Sequence, residues 1–252
     1  NTLLSWGAFR TWALGCPDRA RSLSDVAIAH ARSIRHPFNL CWTLGNSVAT
    51  CAFSGDFDVA EARIDELRYI AREQELTFMG AYMAPVNSAL AAHEKGDYET
   101  AYREGKRAEE AWRSIGGTFW SPVVGACLAH ACLNMGRIHE ARKLVEQIIQ
   151  EMEATGELMM AGEIYRTAAL VHLQTDESND QAFRLFDKSL ALSRQQGTRS
   201  LELRTSISMA EYLVARGKQR EALELLTPIH ASFSEGHDTM DLRRASKILY
   251  GT

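Results

Sequence analysis

No segment of this chain is apolar for long enough to cross a bilayer. The most apolar stretch, residues 122–133, is broken by His130 and falls well short of the roughly 20 residues that a spanning helix needs. Charge of one sign is also lacking. Lys plus Arg number 28 against 32 for Asp plus Glu, a formal charge of -4 over 252 residues, so no general field attracts phosphate backbones or anionic lipid. Neither nucleic acid nor membrane is expected as a direct partner. The five cysteines, Cys16, Cys41, Cys51, Cys127 and Cys132, include no C-x-x-C pair, which predicts a reducing, cytoplasmic setting. The first residues carry neither a basic leader nor a start Met, so the chain reads as a C-terminal part of a longer polypeptide.

Catalytic signatures are missing too. A phosphate loop needs G-x-x-x-x-G-K so that successive backbone N–H groups surround the phosphates, and neither Gly105-Lys106 nor Gly217-Lys218 has the upstream glycine. There is no G-x-G-x-x-G, no G-x-S-x-G and no H-E-x-x-H. Histidines at 93, 130 and 172 fall before three consecutive turns, but their spacing fits packing or a groove edge better than metal ligation. Cys127 and Cys132, about 140° apart on a helix at 3.6 residues per turn, read as buried small residues. Carboxylates such as Asp56, Asp58, Glu61 and Asp65 suit a helix N-terminus. No catalytic residue, metal or cofactor is expected, and the chain reads as a non-enzyme.

What is present is a repeat. Gly15, Gly55, Gly96, Gly136 and Gly217 are each followed five residues later by alanine, and Ala182 fills the gap where the polar stretch 174–180 replaces the glycine. Successive alanines stand 40, 41, 40, 41 and 40 residues apart. Glycine can end a helix in a left-handed conformation, and an apolar spacing of three and four, as in Ala141, Leu144, Val145, Ile148, Ile149 and Met152, follows the turn. Small residues also recur seven before the turn, at Ala8, Ala89, Ala129 and Ala210, with Val48 the bulkier exception. Breakers at His36-Pro37, Glu75 to Thr77, Gly116-Gly117, Gly156, Gly197 and Gly236 separate the units. The spacing predicts leading helices near 2–14, 38–54, 78–95, 118–135, 158–174 and 199–216. Trailing helices are expected near 18–35, 57–74, 98–115, 137–155, 180–196 and 219–233, with a cap helix at 239–249.

This pattern of a small residue, a turn glycine and an opening alanine resembles the tetratricopeptide family, with a unit of 40 to 41 residues in place of 34. Residues 191–249, including Ser200-Leu201-Glu202-Leu203-Arg204 and the run from Phe233 to Leu242, are similar to the end of the tetratricopeptide region in bacterial multidomain signalling proteins. Those proteins carry an ATPase, often behind a class III nucleotide cyclase or a winged-helix domain. The resemblance implies an all-α fold: a single right-handed superhelix over 1–252, six helix pairs plus a C-terminal cap helix. It also implies a non-catalytic interaction or sensor module. Its groove would take a peptide or protein segment, such as an intramolecular ATPase or cyclase domain; a small-molecule sensor of a transcriptional activator, or a regulatory part of a cyclase, is the alternative.

In such an array the leading helices line the concave face. Nine residues before each turn stand Trp6, Asn46, Asn87, Cys127, Arg166 and Ser208. Asn46 and Asn87 can donate to and accept from a peptide backbone, or bond a neighbouring helix instead. By family analogy, Tyr165, Arg166 and Arg204 add an aromatic contact and positive charge, and His130 lies at the groove edge. The lysine of the carboxylate-clamp pattern is replaced by Gly45 and Val86. The five tryptophans read as packing residues. Contacts between residues distant in sequence should be few.

Overall fold

The computed structural model describes residues 2–117, 120–175 and 179–251, and every regular element among them is helical. In order these are α1 Thr2–Ala13, α2 Pro17–Ile34, α3 Pro37–Ser54, α4 Phe57–Glu73 and a π-helical turn Met79–Met83 that runs into α5 Ala84–Lys95. Then come α6 Tyr98–Ser114, α7 Ser121–Asn134, α8 Ile138–Thr155, α9 Ala161–Thr175, α10 Asp180–Gln196, α11 Arg199–Ala215, α12 Gln219–Ala231 and α13 Met240–Tyr250. None is long and apolar enough to cross a membrane, among the described residues.

The turns follow from backbone sterics. Gly55 and Gly96 end α3 and α5 at φ 86° and 87°, a left-handed conformation that any Cβ would strain. Between hairpins, where no glycine is available, Arg35 and Glu75 adopt φ 55° and 51°. The six periodic alanines from Ala20 to Ala222 are completely buried. A larger side chain at any of them would push the paired helices apart. One expectation needs refinement: the helix expected to start near 78 opens with a π turn. Pro85 has no N–H to donate, and the wider register, in which Ala84 N–H bonds Met79 O, accommodates its ring.

Helices pack tightest within the hairpins α1/α2, α3/α4, α5/α6, α7/α8, α9/α10 and α11/α12, and each hairpin stacks on the next through its leading helix. The architecture is an α-solenoid.

Contacts between elements distant in sequence are few among the described residues, but they join the ends of the row. The row of hairpins curves until α1 touches α11 and α13 touches α3. Trp12 O accepts from Ser200 Oγ. Asp18 Oδ2 accepts from Gly236 N at 2.9 Å, Arg19 N donates to Glu235 Oε1 at 3.0 Å, and Arg21 bridges Asp56 and Asp238. Gly236, at φ 72°, lies so close to Pro17 that an added Cβ would sit 1.9 Å from its Cγ. The rotation from hairpin to hairpin sets how soon the ends meet, and here α11 already returns to α1.

Candidate functional site

With the ends joined, the leading helices enclose an interior that divides into two zones, one charged and one aromatic.

The charged zone centres on Arg204 of α11. Its Nη1 and Nη2 donate to Glu94 of α5 at 2.9 and 3.0 Å, its Nε and Nη2 to Glu163 of α9 at 3.1 and 3.0 Å, and Nη1 also to Asp241 of α13 at 3.3 Å. Arg166 forks onto the same Glu163 and donates to Ser208 Oγ at 3.1 Å. The Arg204 guanidinium lies 5.0 Å from the Phe53 ring centre. All five charged groups are buried, so their solvation is replaced by one another.

Two guanidiniums face three carboxylates, and the acidities divide accordingly. Burial favours the neutral form of Glu94, but Arg204 and a hydrogen bond from His93 outweigh it and hold the pKa at about 2. Glu163 is likewise held well below the carboxylate range: Arg166 and Arg204 overcome its burial. Asp241, the surplus carboxylate, is pushed up by burial. Glu94 can only accept, so His93 donates to it through Nδ1 at 3.0 Å. In a neutral ring the His93 Nε2 is then an acceptor, and His130 Nδ1 donates to it at 2.8 Å. Burial, then the neighbouring His93, depresses the His130 pKa well below its ordinary value. Burial also pushes the nearby Cys127 thiol far up, away from nucleophilic thiolate. No three His, Cys, Asp or Glu side chains among the described residues are grouped to hold a metal ion.

The aromatic zone lies between two clusters of rings. Trp42, Phe78, Tyr82 and Trp112 form one, with Tyr82 and Trp112 stacked at 4.2 Å; Trp6, Phe9 and Trp120 form the other, with Trp6 and Trp120 at 5.8 Å. Between them runs an apolar slot of about 40 Å³. Gly45, Ala49, Val86 and the amides of Asn46 and Asn87 complete its wall. The Nε1–H groups of Trp42 and Trp112 are buried and meet no acceptor among the described residues. Two irregular backbone features shape this wall: the π turn carries Tyr82 and Met83, and Trp120 sits at φ 65° with its N–H on the Glu157 carboxylate, 3.1 Å away.

Of the six residues singled out from sequence, Asn46 donates to Ser5 Oγ at 3.2 Å and Asn87 to Met83 O at 2.8 Å, both beside the slot. Arg166 and Arg204 belong to the charged zone with His130 at its edge. Tyr165 points elsewhere: it donates to Glu153 and lies beneath Lys188, against α8 and α10. Sequence reasoning did not find Glu94, Glu163 and Asp241. The first two carried a signal, as charges inside the apolar inner helices α5 and α9. No protein-family model matches this chain, and no curated protein matches it.

Proposed function

We propose that this chain is a non-catalytic regulatory module, a solenoid of six tetratricopeptide-like hairpins plus a cap helix, which senses a small ligand in the aromatic slot. The observation that carries this reading is the slot itself: an apolar, uncharged pocket lined by seven aromatic residues, with Asn46 and Asn87 beside them. An extended peptide along the concave face is less well supported, because Arg166 and Arg204, the cations it would use, are saturated by Glu94, Glu163 and Asp241. The slot draws its walls from α1, α3, α5, α6 and the residue preceding α7. A bound ligand would therefore fix the spacing of the first four hairpins and bias how the ends of the row meet. By the resemblance, the output would be an ATP-using module elsewhere in a longer polypeptide.

Ligand-detected NMR with a library of neutral, cationic and anionic fragments tests the reading. Hits should compete with one another and should be lost in Ala49→Phe, which fills the slot, while circular dichroism stays unchanged. Hits that ignore the filled slot would reject this site, and ATP hydrolysis or cyclic nucleotide formation by the chain would reject the non-catalytic assignment.

A further inference from the structure

We infer that the outer face of the first hairpin, α1/α2, is an interface on which a second copy of this chain docks head to head.

The repeat supplies the comparison. Leu3, Gly7, Arg10 and Leu14 of α1 stand 40 positions before Thr43, Ser47, Thr50 and Ser54 of α3. Those four are at most 2% exposed, with α1 and α2 packed on α3. The trailing helices match in the same way. Arg63 and Glu66 of α4 face back onto α2, where Arg63 donates to Ser24 and Asp25 and Glu66 accepts from Arg32. Forty positions earlier stand Leu23 and Val26. Among the described residues no helix other than α1 and α3 packs on α2, and Leu3 is left 88%, Leu14 45% and Val26 56% exposed.

An end hairpin that faces water keeps a polar outer side. The other end of the row does so, since α13 exposes Arg243, Arg244 and Lys247. The first hairpin instead exposes leucine and valine at positions that its successor covers. Gly7 lies among them, and no neighbouring side chain or other helix comes within 4 Å of where its Cβ would be. A further helix can therefore approach closely.

The occupant follows from continuity and charge. Hairpin-on-hairpin stacking is the interface this chain already uses from α1 on α3 through α9 on α11, and the outer face of α1/α2 extends it by one step. Two copies of that face match each other: apolar surface meets apolar surface, and the long stem of Arg10 lets its guanidinium stay in water. Head-to-tail stacking would bring Arg243, Arg244 and Lys247 against a helix, α1, that carries no carboxylate. Head-to-head stacking uses one patch twice and closes as a dimer. Helices of 12 and 18 residues, at about 1.5 Å per residue and about 10 Å across, cover roughly 450 Å² per copy. Roughly 900 Å² for the pair is at the low end for a specific contact, so the dimer exchanges with monomer.

Sedimentation of the whole chain from a few micromolar to a few hundred micromolar tests this. The average mass should climb from monomer towards dimer and stop there. Leu3→Glu and Val26→Glu, both at exposed positions, should each weaken association by about 10-fold or more, because the carboxylate is carried into the contact by both copies. Tyr69→Glu, also at an exposed position but on α4, should leave it unchanged, and circular dichroism should be the same for all. Monomer at every concentration overturns the proposal, and a mass that rises past dimer overturns head-to-head closure. Association that survives Leu3→Glu and Val26→Glu, or that Tyr69→Glu abolishes equally, places the contact elsewhere and overturns it too.

Discussion

At the scale of single residues, the interior shows how burial sorts charges. Glu94 and Glu163 have folded pKa values below those of an unfolded carboxylate, so the unfolded chain binds more protons as pH falls through about 4; their stabilisation is complete above that range and is lost towards pH 2. Asp241 has the opposite sign: its raised pKa means that ionisation costs stability as pH rises past the ordinary carboxylate value. Glu163→Gln should therefore cost about 3–5 kcal/mol at pH 7, because it leaves Arg166 and Arg204 short of a counter-charge. Asp241→Asn should be neutral or stabilising there, since the amide oxygen can still accept from Arg204. Urea unfolding of both variants at pH 4 and pH 7 checks this; equal losses at pH 7 would show that the charge imbalance is misassigned. Neighbouring residues teach a geometric lesson. Tyr165 and Arg166, consecutive on α9, are about 100° apart, and their partners part accordingly: Tyr165 donates to Glu153 of α8, and Arg166 to Glu163 and Ser208.

At the scale of elements, most of the fold was legible because its signals are local. A glycine that must sit at positive φ and an alanine that must fit between two helices leave their marks at a fixed spacing, and α2, α4, α6 and α8 fall within a few residues of their expected bounds. Where the glycine is missing the chain accepts strain instead. Glu75, exposed at φ 51° between α4 and the next hairpin, holds a conformation that costs an L-residue about 1–2 kcal/mol. Part of that is returned as extra freedom of glycine in the unfolded chain. Glu75→Gly should raise stability by about 0.5–1 kcal/mol, read as a rise of a few degrees in Tm by calorimetry. A fall in Tm would mean that the Glu75 side chain contributes a contact of its own. The π turn was not legible as such. Pro85 signalled an irregularity, but whether a helix kinks, ends or widens its register at a proline depends on the neighbours that receive the displaced residue.

At the scale of the whole molecule, the least legible feature is the one that shapes the candidate site. Curvature accumulates from small rotations between hairpins, and no residue pattern encodes the sum, so Arg204 finds Glu94 at a sequence separation of 110 and Ser200 finds Trp12 at 188. Closure nevertheless leaves one sharp dependence on sequence. Gly236 is needed twice over: for its positive φ, and because Pro17 occupies the place of a Cβ. Gly236→Ala must move the segment before α13 away from α2, which strains or breaks the bonds of Asp18 to Gly236 and of Arg19 to Glu235. The expected cost is about 1–3 kcal/mol from overpacking. It should come with a larger radius of gyration in small-angle scattering and faster amide exchange in α1 and α13, while hydrogen exchange in α6 and α8, far from the seam, stays as it was. If the ligand slot depends on closure, because Trp6 on α1 packs against Trp120, the same substitution also weakens slot binding without touching a slot residue. A Gly236→Ala protein with unchanged scattering and exchange would mean that the joined ends are not a structural constraint, and the coupling between slot and closure would fall with it.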